Sequence, residues 1–254
     1  MRALHEWFAT PAGEDLAERE TRLLTRRLAG LYARRVLQVG AYGGGRSPAV
    51  FGNVRQWVMD DCPDGSIDLE ADSRVIPLTS SSVDVVMLIH QLEFSHAPHQ
   101  VIREAARVLA PEGHLLVLGF NPYSLWGVRR ALSGNARTPP WSGRYLAARR
   151  IADWMMLLGM VPRRPEGVAL LPPPLSRWWL QRHPHSQANR RRESLGAGLN
   201  WIGGAHLVIG QKRVNGAVNP PQQWRRRFEI IPGGLTQAGA GATRSRRESW
   251  HDAG

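Results

Sequence analysis

Three kinds of residue in this chain have the types and spacing that ligand binding and proton transfer need. The first is a glycine-rich turn that ends an apolar run, Val36-Leu37-Gln38-Val39-Gly40-Ala41-Tyr42-Gly43-Gly44-Gly45. Glycine lacks a Cβ, so the backbone can take positive φ and approach a ligand closely, which points to Gly40, Gly43 and Gly45. The second is a pair of carboxylate positions, Asp60 after a second apolar run and Asp72 after a third. Each can accept hydrogen bonds from a ligand or cap a local turn, and Asp61 is an equal alternative to Asp60. The third is Ile89-His90-Gln91-Leu92-Glu93, which follows a fourth apolar run. His90 could take a proton from a hydroxyl or amine, or hold its own loop by hydrogen bonding, and Glu93 carries the same two readings.

The elements that must hold these residues follow from periodicity. Leu16, Leu23, Leu24, Leu28 and Leu31 recur at helical spacing over 13–31, with acids early and arginines late as the helix dipole favours. Strands are expected at 35–39, 54–59, near Ile67, and at 83–89. A helix over 98–109 with Val101, Ile102, Ala105, Val108 and Leu109 on one face is stopped by Pro111 and Gly113 before a strand at 114–119. A helix at 149–158 ends at Gly159, and strands are expected at 168–171 and 204–211. Strands separated by crossovers lie parallel, giving an α/β, Rossmann-like, doubly wound and mostly parallel seven-stranded sheet.

These residues resemble the class I S-adenosylmethionine-dependent methyltransferases, and within them the type 11 methyltransferase domain. The likeness spans about 34–121 and is carried by Gly40 to Gly45, Asp60, Asp72 before Val75-Ile76-Pro77-Leu78, Val83-Asp84, the run from Val101 to Leu115 with its Pro111-Glu112-Gly113 turn, and Gly119-Phe120-Asn121-Pro122. The resemblance implies S-adenosyl-L-methionine as cofactor, with the glycine turn at its methionine end, Asp60 or Asp61 on the ribose, Asp72 on the adenine, and His90 beside the methyl group. Gln38 stands where the family carries an acid that orients the methionine end. Its amide still accepts a hydrogen bond, although a charge-assisted contact worth roughly 1.5 to 3 kcal/mol is lost. Asn121-Pro122-Tyr123 is similar to the Asn-Pro-Pro-Tyr motif of amino-methylating DNA enzymes but follows the fifth strand and has one proline.

Composition sets the bounds. The 254 residues suit one methyltransferase domain over 1–213, with a Trp-, Pro- and Arg-rich insertion at 172–203 and a tail at 214–254 too poor in apolar anchors to order itself. A formal charge of +12, from 33 Lys+Arg against 21 Asp+Glu, suits anionic partners or a solvated arginine surface. Gln38 keeps a second reading open: a non-catalytic protein of the same fold that holds RNA or an acidic partner on its basic surface, where Arg190-Arg191-Arg192, Arg225-Arg226-Arg227 and the pair Trp178-Trp179 are either contacts or plain surface and core. The single cysteine, Cys62, excludes an internal disulfide and a CxxC metal site, and His96 with His99 lack partner ligands, so no metal is assigned. No apolar run approaches the roughly 20 residues of a membrane span, and the amino terminus has no export signal, so a cytoplasmic chain is expected. A nicotinamide enzyme would want Gly-x-Gly-x-x-Gly, which Gly40-Ala41-Tyr42-Gly43 breaks.

Overall fold

Two neighbouring apolar runs become the centre of a sheet because both of their faces can be buried. Strand β1 (Arg35–Val39) pairs in parallel with β2 (Arg55–Asp60) on one side and β4 (Val83–Ile89) on the other. In β4, Val83 and every residue from Val85 to Ile89 are buried, as a doubly covered parallel strand requires. The computed structural model describes residues 2–42, 54–62, 67–132, 138–168 and 203–213. Strand β3 (Leu69–Glu70) extends the sheet beyond β2, and β5 (Leu109–Phe120) lies parallel to β4. Strand β8 (Ala205–Lys212) runs antiparallel to β5, to β6 (Met160–Pro162) and to the short β7 (Glu166–Val168). The order is β3-β2-β1-β4-β5-β8-β6, with β7 attached to β8 off that path. This is the expected mostly parallel, doubly wound sheet, with one extra short strand.

Side-chain alternation splits the core into two layers. Leu37, Val39, Val86, Leu88, Leu115 and Val117 meet α3 (Pro98–Val108) and α5 (Ala148–Leu157) on one face. Val36, Val85, Met87, Ile89, Leu116, Leu118 and Phe120 meet α1 (Arg2–Phe8) and α2 (Pro11–Leu28) on the other, with Trp126 from α4 (Leu125–Leu132). Helix α2 starts as its sequence directs. Thr10 Oγ1 accepts from the Gly13 amide, Pro11 opens the first turn, Glu14 sits at the positive end and Arg26 and Arg27 at the negative end. Gly13 is required where α1 folds back on α2, because a Cβ there would collide with the backbone of Trp7 and Phe8.

The sheet is pinned at its amino end by Asp84, whose Oδ2 accepts from the amides of Arg34 and Arg35, each at 2.9 Å. Helix α3 is stitched to the loop before β4 by Arg107, which donates to the carbonyls of Ile76 and Leu78 while pairing with Glu104. Four elements differ from the expectation. The expected leading helix at 13–31 is α2, and α1 is a further helix ahead of it. Helix α4 lies where no element is expected, its start marked by Ser124 Oγ accepting from the Gly127 amide. Strand β6 is a three-residue strand that periodicity cannot show. The strand expected at 168–171 is met only by β7 at 166–168, and 169–171 lie outside the described residues.

Candidate active site at the carboxyl ends of the central strands

Strand order reverses between β1 and β4, and in open α/β sheets ligands bind outside the carboxyl ends at such a point. Gly40 sits there with φ of +93°. A Cβ at Gly40 would collide with the Ile89 carbonyl and come within 2.5 Å of Gln91 Nε2. The turn is therefore held by the end of β4, and only glycine fits. Gln38, fully buried, supports the turn from beneath: its Nε2 donates to the Gly40 carbonyl at 2.9 Å and its Oε1 accepts from Gln56 at 3.3 Å. Gly43 and Gly45 lie outside the described residues.

Asp60 is brought to the same turn because it ends β2, beside β1. Its Oδ2 accepts from the Ala41 amide at 2.7 Å and meets His5 Nε2 at 3.2 Å, while Oδ1 accepts from the Cys62 amide at 3.0 Å. Burial alone would raise its pKa, yet the hydrogen bonds from His5, Asp61 and Ala41 hold it below the usual carboxylate range. Asp60 is 1% exposed, whereas Asp61 faces outward. Tyr42, completely buried, packs edge-on against Phe8 with ring centroids 5.0 Å apart. Helix α1 thus covers the end of β2 and the start of the glycine turn. Asp72 lies apart after β3, half-exposed, accepting from the Arg74 amide at 2.8 Å and from its guanidinium. That pairing lowers its pKa.

His90 follows β4 with φ of +48° and is completely buried. Its Nε2 lies 3.1 Å from Glu20 Oε1 and its Nδ1 3.2 Å from Glu93 Oε1. Burial opposes the charged imidazole, but the two carboxylates outweigh it and raise the pKa to about 10. An imidazolium donates hydrogen bonds and cannot accept a proton. Both readings of His90, proton acceptor and holder of its loop, meet a ring whose two nitrogens each face a carboxylate. Glu93 keeps acceptor capacity. Its Oε1 also accepts from the Phe120 amide at 2.6 Å, and the Arg144 amide donates to its backbone carbonyl at 2.8 Å. Asn121 ties the end of β5 to the start of β8, donating from Nδ2 to the Gly203 carbonyl at 2.9 Å and accepting the Tyr123 amide at 3.0 Å.

Glu20, His5, Tyr145 and His206 complete the site and were not singled out from sequence. Glu20 carried the clearest signal: Leu16, Glu20 and Leu24 are successive positions four apart on the buried stripe of α2, where an acid is out of place unless paired. His99 packs on the Trp154 ring, with centroids 3.8 Å apart. The arginine clusters at 190–192 and 225–227 and the Trp178-Trp179 pair lie outside the described residues. An open cleft lined by Tyr32, Arg34, Arg35, Trp57 and Asp84 lies at the amino ends of the strands, away from Gly40 and Asp60.

Comparison with known proteins gives this fold a family. A methyltransferase-domain family model matches residues 50–117. The chain belongs to the class I methyltransferase family, enzymes that move a methyl group. A curated relative, the uncharacterized protein YafS of Escherichia coli (strain K12), is 30% identical over 183 residues, covering 72% of this chain and 68% of that protein. Among solved structures, a SAM-dependent methyltransferase of Thermotoga maritima, described as a possible histamine N-methyltransferase, aligns over 82% of this chain and 94% of its own with a TM-score of 0.57 and 14% identity. The [4+2]-cyclase SpnF aligns over 77% of this chain and 80% of its own, with a TM-score of 0.53 and 20% identity. At these identities the solved structures share a fold, and a cyclase among them shows that the fold alone does not fix a reaction. Among the described residues no helix is long and apolar enough to cross a membrane.

Proposed function

We propose that this methyltransferase uses S-adenosyl-L-methionine as its methyl donor, bound across the carboxyl ends of β1, β2 and β4. The observation that carries this reading is the Gly40 turn at the point where strand order reverses, with a positive φ and no room for a Cβ. The residues present fit such a ligand in kind. Backbone is offered at Gly40, carboxylates at Asp60 or Asp61 suit ribose hydroxyls, and Asp72 suits an exocyclic amine. Gly43 and Gly45 extend the turn in the sequence. The donor supplies a methyl already activated on a sulfonium, so positioning and exclusion of water are most of what the protein must add.

Gln38 fixes the turn rather than neutralising a charge, its donor being committed to the Gly40 carbonyl. His90 holds Glu93 in place and shares a buried charge network with Glu20. Glu93, at the end of the loop after β4, is the group able to take a proton from an acceptor. Because α1 covers Asp60 through His5, the ribose contact requires that helix to shift or requires Asp61 to serve. Hydrogen exchange on the full chain tests the placement. S-adenosylhomocysteine should slow exchange at the amides of residues 39–42 and 59–61 and leave the amino ends of β1 and β4 unchanged, whereas protection confined to other segments would refute it.

A further inference from the structure

Glu20, His90 and Glu93 are buried together, so that two carboxyl groups face one imidazole. Glu93 Oε1 is satisfied by the Phe120 amide and His90, but its Oε2, also buried, has no hydrogen-bond partner among the described residues. An unpaired buried carboxylate oxygen is costly unless a donor meets it. Other buried groups share the same condition: the Tyr145 hydroxyl, both ring nitrogens of His206 and, beyond Phe120, Trp126 Nε1 have no hydrogen-bond partner among the described residues. Gly119 places two of these groups together: it pairs with His206 across β5 and β8, and a Cβ on it would come 2.9 Å from Glu93 Oε1. The charge on Glu93 acts on both Tyr145 and His206. Aromatic rings pack beside these groups, with Phe120 stacked on Tyr145 at 5.1 Å and on Trp126 at 6.0 Å.

Two buried carboxyl groups against one imidazole disfavour an anionic guest, and a neutral hydroxyl would bring them no counter-charge. A nitrogen with several N–H donors and partial or full positive charge matches both the free oxygen and the aromatic faces. Resting on the methyl-transfer reading above, we propose that this cluster is the acceptor pocket and that the acceptor is an amine on an aromatic or apolar body, its nitrogen held by Glu93 Oε2. The bound ammonium first passes a proton to Glu93 Oε2, and the nitrogen then attacks as the free amine. A C–N bond forms while the S–C bond of the donor breaks and leaves its pair on sulfur, and the methylated product keeps its positive charge as an ammonium. The backbone of Gly143 and Arg144 packs over Glu93.

The test is calorimetric titration of the full chain with 2-phenylethylamine and with 2-phenylethanol, each with and without S-adenosylhomocysteine. The amine is expected to bind at least about tenfold tighter than the alcohol, as a charge-assisted bond to a buried carboxylate requires. Glu93→Gln should abolish that preference. Tyr145→Phe, which keeps the ring stack, should weaken amine binding about threefold to tenfold with an unchanged circular dichroism spectrum, and it decides the matter if Glu93→Gln does not fold. Equal affinity for the two probes, or binding of neither while S-adenosylhomocysteine still binds, overturns the amine pocket and leaves the methyl-donor reading standing. Failure to bind S-adenosylhomocysteine overturns that reading instead.

Discussion

His5 on α1 and Asp60 at the end of β2 are separated by 55 residues, yet their side chains meet at 3.2 Å with the Asp60 carboxylate fully buried. The contact closes the carboxylate that the family resemblance gives to the ribose. A ligand that uses Asp60 must break this contact, and so competes with α1 for it.

His5→Ala should therefore raise affinity for S-adenosylhomocysteine. A hydrogen bond to a charged group contributes about 1.5 kcal/mol or somewhat more, so relief of the competition is worth about tenfold at most after the loss of α1 packing is set against it. Calorimetry on the two proteins gives the answer. Unchanged or weaker binding would mean that the helix stays in place and that Asp60 is structural.

Gly40→Ala should damage both folding and binding. The left-handed backbone costs about 1 to 2 kcal/mol for a residue with a Cβ, and the collision with the Ile89 carbonyl adds to it. A fall in stability of about 2 kcal/mol or more, read from urea unfolding, is expected together with lost ligand binding. A variant as stable as the parent would show that the turn is not held by β4.

The two buried histidines give stability opposite dependences on pH. His90 is protonated more readily folded than unfolded, so its contribution is complete below about 6.5 and is lost as pH rises towards about 10. Burial lowers His206 to about 4, so its contribution is complete above about 6.5 and is lost as pH falls through about 4. Asp60, Asp84 and Glu104, each lowered by its partners, add to the acid-side loss. Melting temperature should peak near neutral pH. Glu20→Gln should move the alkaline decline to lower pH, because it removes the larger of the two charges that hold the proton on His90. An alkaline limb that does not move would show that Glu20 does not hold the His90 proton.

The sequence showed what depends on local periodicity and turn chemistry. Strand 83–89, helix 98–109 and the helix end before Gly159 depend on neighbours a few residues apart, and their bounds agree with the structure to within a residue, whereas Pro111 and Gly113 lie inside β5, which starts at Leu109 rather than at 114. Helix α4 was missed because its polar Asn121-Pro122-Tyr123-Ser124 opening read as loop, although Ser124 was a helix-start signal. The site was legible only where one strand carried it. Gly40 and Asp60 lie at strand ends and could be placed by counting, but the partners that decide their chemistry come from afar. His5 reaches Asp60, Glu20 reaches His90 across 70 residues, and His206 joins Glu93 only through the antiparallel return of β8. Pairwise packing of that range leaves no periodic trace, so the protonation of His90 could not be read in advance.

The central claim is that the carboxyl ends of β1, β2 and β4 hold S-adenosyl-L-methionine. Calorimetric titration of the full chain with S-adenosyl-L-methionine and S-adenosylhomocysteine, with NAD as control and Asp72→Ala as variant, tests it most directly. Binding of both sulfur ligands with a Kd of roughly 1 μM to 1 mM, the range of ordinary enzyme substrates, weakened by Asp72→Ala and absent for NAD, is the predicted result. No heat of binding for either sulfur ligand at millimolar concentration would contradict the account.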